Sequence, residues 1–282
     1  MKLFQQGCLK ACLAAGLAVL ASQADAADIA RPVYKAPVVA PLPAPWAGWY
    51  FGGQGGWGKG DPEAIINFAG APLGGAFTFP PGTAPAPFSL VTEPKGGFGG
   101  VVFGFNWQNG ILVYGWEADF SFGDIKDSQY ASISRFVSDP DNGLFLGNAG
   151  LATKLDMFGT LRGRFGFAAN NVLFFGSAGL AYGHVKNTVS SSGATYSTGG
   201  GTPVLVTGSA FNRSASLDDW NIGFAVGGGI DWLFSPNWVF RVEYLYLDFN
   251  GSTYLNPVPM VSSVNTDLFV HTVRVAFTYK LP

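Results

Sequence analysis

The sequence predicts an all-β protein: a closed, eight-stranded, antiparallel up-and-down β-barrel that crosses a membrane. Three observations predict it. Beyond Trp46 the chain holds eight segments in which large apolar residues alternate with small or charged ones. The connections between these segments alternate between tight turns and long loops. The charges fall on the face of small residues, opposite the aromatic face, whereas a soluble sheet buries its aromatics and wets its charges.

Composition sets the frame. The chain has 282 residues, of which 12% are charged and 15% aromatic, with 40 glycines. So little charge with so many aromatics excludes a disordered chain. A formal charge of -2 gives no electrostatic footprint for nucleic acid. After the first two dozen residues no apolar run is long enough for a helical span.

Residues 1–26 read as a signal peptide. Lys2 and Lys10 supply its positive region, 11–21 its apolar stretch, and Ala24-Asp25-Ala26 its small-residue cleavage site. Cleavage between Ala26 and Ala27 is expected. The apolar run is too short for an anchor. Cys8 and Cys12 precede its end, unlike the cysteine of a lipoprotein signal, and leave the mature chain without thiols. Residues 27–45 form a linker, expected in the periplasm, whose prolines 32, 37, 41, 43 and 45 block helix and ladder bonds alike. Residues 46–282 form the barrel.

The first strand is predicted at 46–57, rich in glycine and aromatics. The second, 97–108, sets Val101, Phe103, Phe105 and Trp107 on one face. Asn109-Gly110 then gives a tight hairpin signal. The third, 111–123, opposes Tyr114, Trp116, Phe120 and Phe122 to Glu117, Asp119 and Ser121. The fourth, 153–168, opposes Leu155, Met157, Leu161, Phe165 and Phe167 to Lys154, Asp156, Thr160, Arg162 and Arg164. A turn at 169–171 leads to the fifth, 172–186. The sixth and seventh flank Ser235-Pro236-Asn237; Trp220, Ile222, Phe224, Ile230 and Trp232 face one way before it, and Trp238, Phe240, Val242 and Tyr244 after it. The eighth, 269–280, opposes Val273, Val275 and Phe277 to Thr272, Arg274 and Thr278.

Long loops are expected at 59–95, 124–152, 187–217 and 250–268, all rich in Gly, Pro, Ser, Thr or Asn. Short turns on one side and long loops on the other is the pattern of outer-membrane barrels, with the short turns periplasmic. An even strand count returns both ends to that side. An open sheet edge in lipid would strand backbone donors and acceptors, so the sheet is expected to close. Trp107, Trp232 and Trp238 flank the short turns and are assigned to the periplasmic aromatic girdle. A soluble sandwich or lipocalin-like barrel would need the opposite placement of charges.

The chain resembles the small outer-membrane β-barrel proteins of the porin family, related in architecture to the transmembrane domain of OmpA. The likeness rests on GFGGVVFGFNWQNG at 97–110, GTLRGRFGFA at 159–168, GSAGLAYGHVK at 176–186, NWVFRVEYLYLD at 237–248 and HTVRVAFTYK at 271–280. It implies the outer membrane of a Gram-negative bacterium as location, and lipopolysaccharide and the barrel-assembly machinery as partners. Some members are associated with haem or host binding. The family usually ends on an aromatic residue read by that machinery; this chain ends Tyr279-Lys280-Leu281-Pro282.

Ten charges are assigned to the lumen: Glu117, Asp119, Asp156, Arg162, Arg164, Asp219, Asp231, Arg241, Glu243 and Arg274. A charge on the lipid face costs about 2–4 kcal/mol, which explains the inward parity. Eight strands enclose an interior that side chains can fill, so an ion-pair plug is favoured over a selectivity filter. Catalysis is not expected. His184 and His271 have no nucleophile at a suitable spacing, and two histidines without a mature cysteine make a metal site improbable. The glycine clusters at 97–104 and 227–229 lack the helix a phosphate loop requires. No cofactor is expected. The function expected is that of an envelope barrel with surface loops; a small diffusion channel, or a receptor or adhesin acting through loops that carry Ile65, Ile66, Phe77, Phe79, Phe136 and Phe145, are the alternatives.

Overall fold

Alternation over so many residues leaves the backbone one way to pair its polar groups, and it takes that way around a complete ring. The computed structural model describes residues 45–62, 66–67, 90–137, 143–199, 202–255, 257–258, 261 and 263–281. The ring strands are β1 Gly48–Pro62, β2 Lys95–Asn109, β3 Leu112–Val137, β4 Gly143–Ala169, β5 Val172–Ser197, β6 Phe211–Ser235, β7 Trp238–Phe249 and β8 Leu268–Lys280. Each pairs antiparallel with its neighbours in sequence. The ring closes where β1 meets β8, from Tyr50↔Lys280 to Pro62↔Leu268. The signal peptide and nearly all of the linker lie outside the described residues, as do 63–65 and 68–89 of the first long loop.

Three two-residue turns join the strands at one end: Gly110-Ile111, Asn170-Asn171 and Pro236-Asn237. Gly110 has φ 61° and Asn170 φ 56°, the left-handed region that Gly and Asn enter at least cost. Each turn accepts a bond from the end of a strand beyond it: Ala168 N donates to Ile111 O, Leu233 N to Asn171 O and Lys280 N to Asn237 O.

At the other end the strands overrun the sequence prediction. β3 and β4 continue through most of 124–152, and β5 and β6 through much of 187–217, both expected as loops. The reason is an inverted pattern. Over the lower part of the barrel the outward residues are apolar, from Trp232 at 48% exposure beside a short turn up to Phe122 at 62%. Higher up the outward residues are mostly polar (Ser128, Ser132, Ser134, Ser214, Ser216), while Ile133, Phe145, Leu151 and Val189 point in and are buried. Phe145, expected on an exposed loop, is therefore core. The strands leave an apolar surrounding for an aqueous one without ending.

Short strands dress the long-loop end. Residues 253–255, 263–265 and 66–67 make a small antiparallel sheet, and 204–205 pair with the tip of β5. Val258, Val261 and Val264 pack onto the upper inward cluster with Phe145 and Val189.

One irregularity redirects a side chain. Between Phe122↔Met157 and Ile125↔Leu155, two residues of β3 oppose the single Asp156 of β4. On its other edge Asp156 has no partner, since Leu155↔Val185 is followed directly by Met157↔His184, and this bulge reverses the inward parity of β4. Leu155, expected outward, is fully buried inside, and Phe158 below it also points in.

Candidate functional site

The lumen holds the chain's densest chemistry, built from inward positions of seven strands. Glu117 and Arg162 are direct cross-strand partners, as are Asp231 and Arg241, and Glu243 and Arg274. Arg162 is the hub: its Nη2 lies 2.7 Å from Glu117 and 3.3 Å from Asp119, its Nη1 bonds Glu243, and Nη1 also donates to Ser177 at 2.8 Å. Arg164 reaches Asp231 at 2.8 Å and Glu117 at 3.3 Å. Arg241 grips Asp231 through Nε at 2.6 Å and Nη2 at 3.0 Å, and its Nη1 pairs with Glu117. Arg274 lies 3.5 Å from Asp119 and 3.9 Å from Glu243. Four arginines thus face four carboxylates, and all eight residues are buried.

Neutral side chains complete the set. Tyr50 donates to Glu117 at 2.7 Å and accepts from Arg164 at 2.8 Å. Gln54 donates to Ser121 at 3.0 Å and to Asp119 at 3.4 Å. Thr160 donates to Asp119. Sequence reasoning missed Tyr50 and Gln54. The signal was there: along the inward positions of β1 they stand among Gly52, Gly56 and Gly58, so they alone can reach across. Gly104 on β2 makes room for Tyr50, because a Cβ there would meet the Tyr50 ring.

Apolar layers close this ionic layer above and below. Towards the long loops lie Phe98, Ile125, Leu155, Phe158, Leu245, Leu247, Phe249 and Val270. Towards the short turns lie Trp46, Val113, Leu173, Phe175 and Val239. Trp46, expected to begin the first strand, instead folds under the lumen. Gly48 at φ 114° starts β1, and Trp46 N donates to Gln108 Oε1 at 3.0 Å. Arginine planes join the layers: Arg164 lies 4.0 Å and Arg241 5.1 Å from the Phe175 ring centre, and Arg274 lies 5.5 Å from that of Phe98. With water excluded on both sides, each charge depends on its partners.

The 31 kDa outer-membrane immunogenic protein of Brucella melitensis biotype 1 is 31% identical to this chain over 285 residues, covering 95% of this chain and 98% of that protein. The chain belongs to the family of that outer-membrane protein. The 22 kDa outer membrane protein of Rhizobium leguminosarum bv. viciae is 29% identical over 159 residues, 56% of each chain. Among solved structures, OprG of Pseudomonas aeruginosa aligns at 15% identity over 83% of this chain and 97% of its own, with a TM-score of 0.41. No family model matches the sequence.

As a member of this outer-membrane family, the protein lies in the outer membrane of a Gram-negative bacterium, and its outward apolar belt is the wall that lipid wets. Trp107, Trp232 and Trp238 project outward from the strand ends next to the short turns, each close to half exposed, and Trp49 joins them. Trp57 and Trp220 project outward at the opposite border of the belt.

Two of the ten assigned charges lie outside the ionic layer. Asp156 is turned by the bulge to the outer face, where it accepts from His184 Nδ1 at 2.8 Å and pairs with Lys186 at 3.2 Å. Asp219 keeps inward parity on β6, but sits level with Val185, above the ionic layer and outside its bonds. Both histidines lie on the outer face. His271 bridges Asp61, 3.0 Å from its Nε2, and the Tyr244 hydroxyl at its Nδ1.

Proposed function

We propose that this protein is a sealed barrel: it anchors extracellular strands in the outer membrane and conducts no solute. The observation that carries the reading is the neutral set of four arginines and four carboxylates, buried between two apolar layers. An ion entering it would displace paired charges and then cross side chains that offer it no ligand. Outward, β3 to β6 carry the sheet well past the belt, which suits display of polar surface to the medium. A relative whose name calls it immunogenic supports exposure of that surface.

Planar-bilayer recording of the refolded protein tests this. The expected record shows no discrete current steps. Reproducible single-channel steps from a preparation whose gel mobility shifts on heating would overturn it.

A further inference from the structure

Five lysines form one row across five adjacent strands. In the sheet register, Lys59 faces Lys95, Lys95 faces Lys126, Lys126 faces Lys154, and Lys154 faces Lys186. All five point outward. With neighbouring strands ~4.8 Å apart, the row is roughly 20 Å long. Like charges placed directly opposite each other in a sheet destabilise it. Carboxylates offset part of that cost: Asp124 lies 2.7 Å from Lys126 and 3.4 Å from Lys154, Glu93 3.7 Å from Lys59 and Asp156 3.2 Å from Lys186. Asp124 and Glu93 are themselves more than half exposed and free to exchange partners.

The height of the row identifies its partner. It runs along the upper border of the lipid-wetted belt, two residues above Trp57 on β1 and just above Phe122 on β3, which are 60% and 62% exposed. Directly below Lys95, beside Trp57, the wall is smooth. The outward positions there include Gly55, Gly97 and Gly99, where an added Cβ would meet nothing closer than 3.4 Å. Trp57, directly below Lys59, walls one side of this trough, its ring 3.9 Å from where a Gly97 Cβ would lie. Charge at headgroup height above a flat apolar slot is the shape of a phosphorylated lipid.

We propose that Lys59, Lys95, Lys126, Lys154 and Lys186 bind the phosphate groups of glycolipids in the surrounding outer leaflet, with an acyl chain lying in the glycine trough below. The proposal rests on the outer-membrane placement and is independent of the sealed lumen. Both faces of the row fit the chemistry: ammonium groups meet phosphate directly, and the interspersed carboxylates meet it through the divalent cations that accompany such lipids.

The test is retention of lipid A by the refolded full chain, read by native mass spectrometry from mixed detergent. The wild type is compared with Lys95→Gln/Lys126→Gln/Lys154→Gln, with a Lys280→Gln control at the opposite end. Retained bis-phosphorylated lipid A is expected to fall at least tenfold in the triple variant and to hold in the control. Dephosphorylated lipid A is expected to bind wild type and variant equally weakly. Equal retention of the phosphorylated lipid by wild type and triple variant would overturn the proposal. So would competition by millimolar inorganic phosphate that strips the lipid, since the row would then be a free-anion site. Should the triple variant fail to shift on heating, Lys95→Gln alone and Gly97→Leu, which fills the trough, carry the same comparison. Undiminished retention in both would equally overturn it.

Discussion

Glu117 decides most of the lumen's electrostatics, because Arg162, Arg164, Arg241 and Tyr50 all converge on it. Removing one partner of such a set strands the others without water. Arg241→Leu is therefore expected to cost about 3–5 kcal/mol, read as a lower unfolding midpoint in urea at unchanged slope. Tyr50→Phe deletes only a hydroxyl that serves a charged pair, and its expected cost is about 1–3 kcal/mol. A smaller loss for Arg241→Leu than for Tyr50→Phe would contradict this account. The inward parity of Glu117, Arg162, Arg241 and Glu243 was legible in the sequence, because period-two alternation fixes it strand by strand. Their partnerships were not, since they depend on register. Asp156 was misread for a related reason: it is itself unopposed on β5, which reverses the parity of β4, and Lys154-Leu155-Asp156-Met157 alternates in sequence as if it were not.

The bulge and the strand extensions carry their own expectations. At the bulge Asp156 holds His184 Nδ1 at 2.8 Å and Lys186 Nζ at 3.2 Å. Asp156→Asn keeps the shape and removes the charge, and with Lys186 41% exposed it is expected to lower the unfolding free energy by less than about 1 kcal/mol, read from the urea midpoint. The outer part of the β3–β4 hairpin pairs beyond the ring, from Ser128↔Ala152 to Val137↔Gly143. Replacing 128–152 by an Asn-Gly turn is expected to leave the heat-modifiable gel shift intact while removing extracellular protease sites. Loss of the shift would show that the extension is needed to hold the barrel. That extension was illegible because its serines and glycines resemble loop composition, and its apolar residues face inward where the rest of the sequence had trained the eye on outward ones.

At the scale of the molecule the tryptophans mark the two borders of the belt. Trp49, Trp107, Trp232 and Trp238 lie exposed at one border with Trp116 packed edge-on against Trp49, Trp57 and Trp220 lie at the other, and Trp46 inside. With lipids brominated just below the headgroup, single-tryptophan variants at the six exposed border positions are expected to be quenched strongly and one retaining only Trp46 weakly. Equal quenching of Trp46 would place it outside the lumen. Strand number, closure and the short turns were readable from alternation and spacing. The apolar layers were not, because Leu245, Leu247 and Val270 sit on the face that elsewhere carries small or charged residues.

The β1–β8 seam has a consequence for the lifetime of the fold. It joins groups as far apart as Gln54 and Arg274, 220 positions along the chain, whereas every other junction of the ring joins consecutive strands. Loop-closure entropy grows only logarithmically, so closing so long a segment instead of one of ~20 residues adds about 2 kcal/mol. That cost falls on the first rung to form; those that follow zip from it. In reverse, no single rung can be released alone, and parting the whole seam would expose two rows of backbone donors and acceptors to hydrocarbon. The barrel should therefore persist through a high barrier to opening, and its durability is a matter of rate as much as of equilibrium.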